Sequence, residues 1–218
     1  MSVIAKRLPM FEPEYRVGLR ILMGRLGMGP ALRVGVPAIL KSLTVRFRVR
    51  GNGDAHEKTK VDIKNHFALL GALYREMERR YGREKTNVIM HDVLMGGGRR
   101  FFRGFSPLAP GEDLLDFVRI YKDFESHNIV FRVIEASKSR FEIVIHRCLI
   151  YESFRELGIP DLTRWMCDIA HDYFSSYHPA IGYVKDRMIA RGADTCHEVF
   201  TWDASRGFHP HQRGQRYG

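Results

Sequence analysis

The hydrophobic period of this chain changes near residue 126, and that change limits its fold more than any other feature. Before it, Ile63, Phe67, Leu70, Leu73, Tyr74, Met77 and Tyr81 recur at three- and four-residue spacing, which predicts an amphipathic helix over 60–81. A second helical stripe, Leu115, Val118, Tyr121 and Phe124, covers 112–125. Beyond it Ile129, Phe131 and Val133 alternate, Ser137-Lys138-Ser139 turns, and Phe141, Ile143 and Ile145 alternate again, the pattern of a β-hairpin. Two short helices follow, 148–157 stopped by Gly158 with Pro160 beyond it, and 161–177 closed by His178-Pro179. Strands over 181–189 and 195–202 then flank Gly192-Ala193-Asp194. Hairpins separated by helices pair antiparallel, so the expected class is α+β: a helical N-terminal part packed on a small antiparallel sheet, not a doubly wound parallel sheet.

Upstream the pattern is less regular. Residues 14–40 read as two short helices with a break at Gly27, Gly29 and Pro30. Over 43–50, Leu43, Val45, Phe47 and Val49 face one way and Thr44, Arg46, Arg48 and Arg50 the other, the alternation of a half-buried strand stopped by Gly51-Asn52-Gly53-Asp54. A helix over 87–95 runs into Gly96-Gly97-Gly98, followed by Arg99 and Arg100. Glycines before arginines can cradle phosphate, but this run follows a helix instead of opening one, so a helix stop and flexible loop is expected.

Composition bounds the class. Of 218 residues, 44% are hydrophobic and 28% charged, a globular balance too apolar for disorder. No apolar run approaches the roughly 18–20 residues of a membrane span, the N-terminus lacks the apolar core of a secretory signal, and three cysteines do not make a disulfide framework. A soluble protein of a reducing, cytoplasmic compartment is expected. The net charge of +10 is uneven: residues 1–50 carry ten Lys/Arg and two acids, whereas 111–203 carry eleven against sixteen. The expected organisation is a basic arm at 1–60 with short helices and one strand, an α+β small-molecule domain at 61–203, and a flexible basic tail at 204–218. The arm is either a solvated face or a dock for an acidic partner protein, nucleic acid or an anionic surface; no nucleic-acid motif accompanies it. Leu19, Ile21, Leu22, Met23 and Leu26 offer an apolar surface for self-association into a homo-oligomer.

The chemistry-bearing residues concentrate late in the chain. Cys148 follows the first hairpin, Cys167 lies on the next helix beside Asp168 with His171 one turn on, and Cys196 starts the last strand on the face of Glu198, Phe200 and Trp202. If both hairpins share a sheet under that helix, the three thiols converge, and a glutamate on the same core face acquires a raised pKa suited to acid/base work. Three readings stay open: three independent core thiols, a divalent metal such as zinc held by the cysteines or by two of them with His171, or a cysteine nucleophile with His146 or His171 as base.

The stretch from Arg147-Cys148 through Glu156-Leu157-Gly158 and Cys167-Asp168 to Gly192-Ala193-Asp194-Thr195-Cys196 resembles the 2-amino-thiazoline-4-carboxylate hydrolase family over 112–203. The resemblance implies hydrolysis of a C=N bond in a small cyclic amidine bearing a carboxylate. It implies Cys148 or Cys167 as thiolate nucleophile or metal ligand, and Asp168, His171 or Glu198 as proton-transfer groups. Arg147 or Lys185 would then anchor the carboxylate. The element order also resembles vinyl-4-reductase-like small-molecule-binding domains, which implies a non-catalytic binding or sensory module as the alternative.

Overall fold

The computed structural model describes residues 12–45, 47–48, 54–102 and 105–206, with Phe101 described by its backbone alone. Helices α1 (Pro13–Leu26), α2 (Met28–Thr44), α3 (Ala55–Tyr81), α4 (Arg83–Phe102) and α5 (Leu114–Glu125) precede strands β1 (Ile129–Ala136) and β2 (Arg140–Cys148). Helices α6 (Leu149–Glu156) and α7 (Asp161–Ser175) then lead to β3 (Ile181–Arg187) and β4 (Cys196–Trp202). The strands form one antiparallel sheet in the order β1-β2-β4-β3. The fold is therefore α+β, with the two hairpins and the intervening helices where the change of period places them.

Register puts the inner face of the sheet in rows. Phe200 on β4 stands between Phe141 on β2 and Tyr183 on β3, and Glu198 stands between Ile143 and Lys185. Helices α5 and α7 cover this face, Phe117 and Phe174 setting their rings 4.8 and 5.6 Å from Phe200. These aromatic contacts bury Phe117, Phe141, Phe174 and Phe200 almost completely and form the centre of the core.

The phase of α5 differs from the expected stripe. Asp113 caps the helix, accepting from the Leu115 N–H, while Asp116 accepts from the Asp113 N–H. That reciprocal box starts the helix at Leu114, so Leu114, Phe117, Val118 and Tyr121 are buried and Leu115 turns outward.

No strand forms over the described part of 43–50; Arg46, Val49 and Arg50 lie outside the described residues. Helix α2 continues through Leu43 and Thr44, and the backbone of Phe47 is held by a side chain instead of a strand. The Phe47 N–H donates to Asn65 Oδ1 at 2.9 Å, and Asn65 Nδ2 donates to the Phe47 carbonyl at 3.1 Å. One amide satisfies both groups that a neighbouring strand would have taken. In the tail, Ala204–Arg206 forms a short 3₁₀ turn; the flexibility expected beyond it falls on 207–218, outside the described residues.

The glycine run is neither a stop nor a phosphate loop. Helix α4 passes straight through Gly96, Gly97 and Gly98, and neighbouring helices occupy the space where side chains would be. A Cβ on Gly96 would overlap Ile21 Cδ1 of α1, and one on Gly97 would sit 3.1 Å from the Glu14 carbonyl oxygen. A Cβ on Gly98 would lie 2.5 Å from Cδ1 and 2.9 Å from Cγ2 of Ile169 on α7. Glycine weakens a helix by about 1 kcal/mol relative to alanine, a cost offset here by backbone-close packing of two helices on α4. Helix α2 in turn lies on α3, where Lys41 reaches the buried Glu76 carboxylate, already held by Arg79 and Arg80. These cations keep Glu76 down at about 2, Arg79 contributing most.

Two alanine substitutions separate these effects. Gly98→Ala drives a methyl into the fully buried Ile169 and is expected to destabilise the fold by about 1–2 kcal/mol despite its better helix propensity. Gly24→Ala in α1, where a Cβ meets nothing within 4 Å, is expected to stabilise by about 0.5–1 kcal/mol. Denaturant midpoints of the two variants check both signs.

Candidate functional site

Between the helical layer and the inner face of the sheet lies a cavity of about 780 Å³. Its wall is mainly apolar: Leu22 of α1, Ile39 of α2, Leu70 of α3 and Phe102 of α4 close one side. The end of α5, the start of β1 and the inner rows of β3 and β4 supply a polar side. That volume falls in the range of ligand-binding cavities.

Five of the nine residues singled out from sequence line it, Cys148, Cys167, Lys185, Cys196 and Glu198, whereas His146 on β2 is exposed and does not. Each is placed by its element. Cys148 ends β2 and caps α6, its Sγ accepting from the Tyr151 N–H at 3.4 Å. Cys196 opens β4 on the inward phase, and its Sγ accepts from the Ile189 N–H at 3.2 Å. Cys167 belongs to the inward stripe of α7 with Met166, Ala170 and Phe174.

The thiols are chemically quiet. Burial pushes Cys148 up to about 12, and burial likewise raises Cys167 and Cys196, in each case against the opposing pull of the Lys185 charge. All three are therefore protonated near neutral pH, the opposite of an activated thiolate. No three ligand atoms drawn from these thiols, Asp168, His171 and Glu198 lie within 4.8 Å of one another. The cysteines line one cavity without forming a three-ligand metal set.

The charged centre is the cross-strand pair. Lys185 Nζ stands 2.7 Å from Glu198 Oε1, with the two side chains only 7% and 5% exposed. Tyr121 donates its hydroxyl to Glu198 Oε2 at 2.8 Å. Burial alone would depress Lys185, but the facing Glu198 carboxylate outweighs it and holds the ammonium well above its ordinary range. Burial and then the Glu198 charge raise Tyr121, so its hydroxyl remains a donor.

Beside this array stands Glu125, a residue the sequence reading passed over. It is the last residue of α5 and lines the cavity, with Asn128 Nδ2 at 3.5 Å from its Oε2. Burial, reinforced by the Glu198 charge, raises it to about 7. Its signal was present: Phe117, Tyr121 and Glu125 recur every four residues, so a carboxylate ends the buried stripe.

Three expected site residues are elsewhere. Asp168, about 100° around α7 from Cys167, pairs with Arg191 at 3.1 Å in a separate shallow depression. His171 is exposed, its ring 5.5 Å from that of Tyr183. Arg147 gives Nε and a terminal nitrogen to both oxygens of Glu152, at 2.9 and 2.8 Å. None of the three lines the cavity.

Among the described residues no helix is long and apolar enough to cross a membrane. No curated protein matches the chain. A solved structure, the Fe(II) unliganded H-NOX protein from K. algicida, is similar at 12% identity and a TM-score of 0.42, covering 90% of this chain and 98% of its own. A family model, L-2-amino-thiazoline-4-carboxylic acid hydrolase, matches residues 62–200. The match takes in the whole cysteine-bearing region and extends back over α4 and most of α3, beyond the stretch that carries the sequence resemblance. On that span, which is more than half of its length, the chain belongs to the L-2-amino-thiazoline-4-carboxylic acid hydrolase family.

Proposed function

We propose that this protein is a hydrolase of the kind its family is named for, adding water across the C=N bond of a small cyclic substrate that bears a carboxylate. The observation that carries this reading is the buried Lys185–Glu198–Tyr121 array, with Glu125 beside it on the same cavity wall. A buried ion pair adds little net stability compared with apolar packing of the same volume. Its position on a cavity wall therefore favours a chemical role.

The roles follow from charge. Glu125, raised to about 7, holds a proton that it can give to the ring nitrogen as the C=N carbon is attacked. Lys185 presents the cation that a substrate carboxylate requires, and Glu198 keeps that cation charged inside an apolar cavity. Glu198, paired to Lys185 and Tyr121 by fixed contacts, is placed to take a proton from an attacking water. The water oxygen bonds to carbon and the ring nitrogen gains the Glu125 proton; the bond from the tetrahedral carbon to a ring heteroatom then breaks, the heteroatom taking the proton held by Glu198 and the hydroxyl returning its proton to Glu125 as C=O forms. The protonated thiols of Cys148, Cys167 and Cys196 are the polarisable wall against which a sulfur-containing ring packs. Water, not a thiolate, is the nucleophile in this scheme.

A second reading, a binding or sensory module, is favoured by one observation: the cavity is roomier and more apolar than a single polar ring requires. In that reading the Lys185 end holds the head of an amphipathic ligand and the helical side holds its body. Incubation with 2-amino-thiazoline-4-carboxylate, followed by ring opening, decides between the two. Absence of turnover, together with tight binding of an apolar carboxylate, would select the second.

Three variants test the roles. Cys148→Ser keeps a side chain that caps α6 and is expected to retain kcat/KM within a few-fold; abolished turnover would make Cys148 the nucleophile. Lys185→Met is expected to lower kcat/KM by roughly 10²–10³-fold, the range for losing one preorganised electrostatic contact.

Glu125→Gln is expected to lower kcat by about 10²–10⁴-fold and to remove an alkaline limb near pH 7. The same carboxyl binds its proton more tightly folded than unfolded, so its contribution to stability is complete at low pH and is lost as pH rises through about 7. In Glu125→Gln this slope should flatten in urea titrations across that interval; an unchanged slope would remove Glu125 from the buried cluster.

A further inference from the structure

Residues 1–50 hold ten basic side chains and two acids, and the two acids are Glu12 and Glu14. Neither forms an ion pair with a Lys or Arg among the described residues; they face each other and His66. Glu12 is the residue before α1 and Glu14 lies in its first turn, while His66 projects from α3. The Tyr15 hydroxyl donates to the His66 carbonyl at 2.6 Å and fixes the start of α1 against α3. In the most basic part of the chain, two carboxylates thus pair with no described arginine and meet one imidazole.

We propose that Glu12, Glu14 and His66 form a binding site for a divalent transition-metal cation of the zinc class, set in the helical wall of the cavity. One ring nitrogen and two carboxylate oxygens lie within 4.8 Å of one another. His66 Nδ1 stands 3.6 Å from Glu12 Oε2. That separation is too long for a hydrogen bond, and it is the span of two metal–ligand bonds of about 2.1 Å meeting at roughly 115–120°. The His66 side chain is only 10% exposed, and among the described residues neither of its ring nitrogens forms a hydrogen bond.

All three residues line the cavity, so further coordination positions would open into it. The Glu12 and Glu14 carboxylates face each other at the start of α1. Two carboxylates that disfavour each other's charge gain most from a cation between them. One nitrogen and two oxygens suit zinc, manganese or iron better than calcium or copper(I).

The site is separate from the Lys185–Glu198 centre and does not depend on the hydrolase reading. Its test measures binding rather than turnover. Untagged, chelator-treated full-length protein is titrated with Co²⁺ as a spectroscopic substitute for Zn²⁺. The expected result is one equivalent bound, visible d–d absorption and no thiolate-to-cobalt charge-transfer band. His66→Ala and the Glu12→Gln/Glu14→Gln double variant should each weaken binding by at least roughly a hundredfold, the upper end of the loss seen when only an outer-shell partner is removed.

The double variant conserves side-chain shape and guards against a folding failure of His66→Ala, which circular dichroism would reveal. A Cys148→Ser/Cys167→Ser/Cys196→Ser variant should bind as the parent does. Failure of the parent to bind an equivalent of Co²⁺ would overturn the proposal. So would a thiolate charge-transfer band, or binding unchanged in both the His66 and the double glutamate variants.

Discussion

The close approach of two helices to α4 is the constraint on which the arrangement rests. Three successive glycines remove the side chains from one turn of that helix, and α1 and α7 both settle against its backbone. Because Ile169 meets Gly98, α7 lies where its inward stripe can carry Cys167 and Phe174 over the sheet. Because α1 meets Gly96 and Gly97, its first turn lies beside α3, and Glu14 comes near His66. Gly97 and Gly98 are themselves part of the cavity wall, so the packing that closes the helical layer also sets how deep the cavity is. Larger side chains there would force the helices apart before they filled any void.

At the other side of the cavity, strand register takes over from helix packing. Antiparallel pairing sets Lys185 directly opposite Glu198, and α5 adds Tyr121 from above. The pair is buried in an apolar environment in which a lone charge would be neutralised, so neither member is tolerated without the other. The same charges act on their neighbours in opposite senses: Glu198 helps hold a proton on Glu125, while Lys185 moderates the rise of each thiol. Acid and cation therefore stand in one wall, and the cysteines around them remain neutral.

Much of this was legible in the residues because period-2 alternation survives folding almost unchanged. Cys196, Glu198 and Phe200 share a face in any sheet with the alternation seen over 195–202, which puts one of the three cysteines and the glutamate on the inner side together. What was not legible depends on a partner element or on exact phase. In the described part of 43–50 no strand forms, and at Phe47 the side chain of Asn65, eighteen residues on, supplies both hydrogen bonds of a missing neighbour. Glycine serves both to end a helix and to let another helix touch it, and Gly96–Gly98 have the same composition in either use. Helix α7 is rotated so that Cys167 points inward while Asp168 faces Arg191, a choice that Ile169 against Gly98 makes and local spacing does not. Arg147 does not line the cavity because its Nε and one terminal nitrogen are held by Glu152, five residues on.

The cavity has two walls of different standing within the family. The sheet, α5 and α7 fall inside residues 62–200, the span by which membership is recognised. Tyr15, Leu19, Leu22 and Ile39, which close the opposite side, precede that span. Membership therefore takes in the charged side of the chamber, while part of the opposite wall is set by a segment that it does not specify. Two proteins alike over 62–200 and different before it would keep the same charged cluster in cavities of different shape.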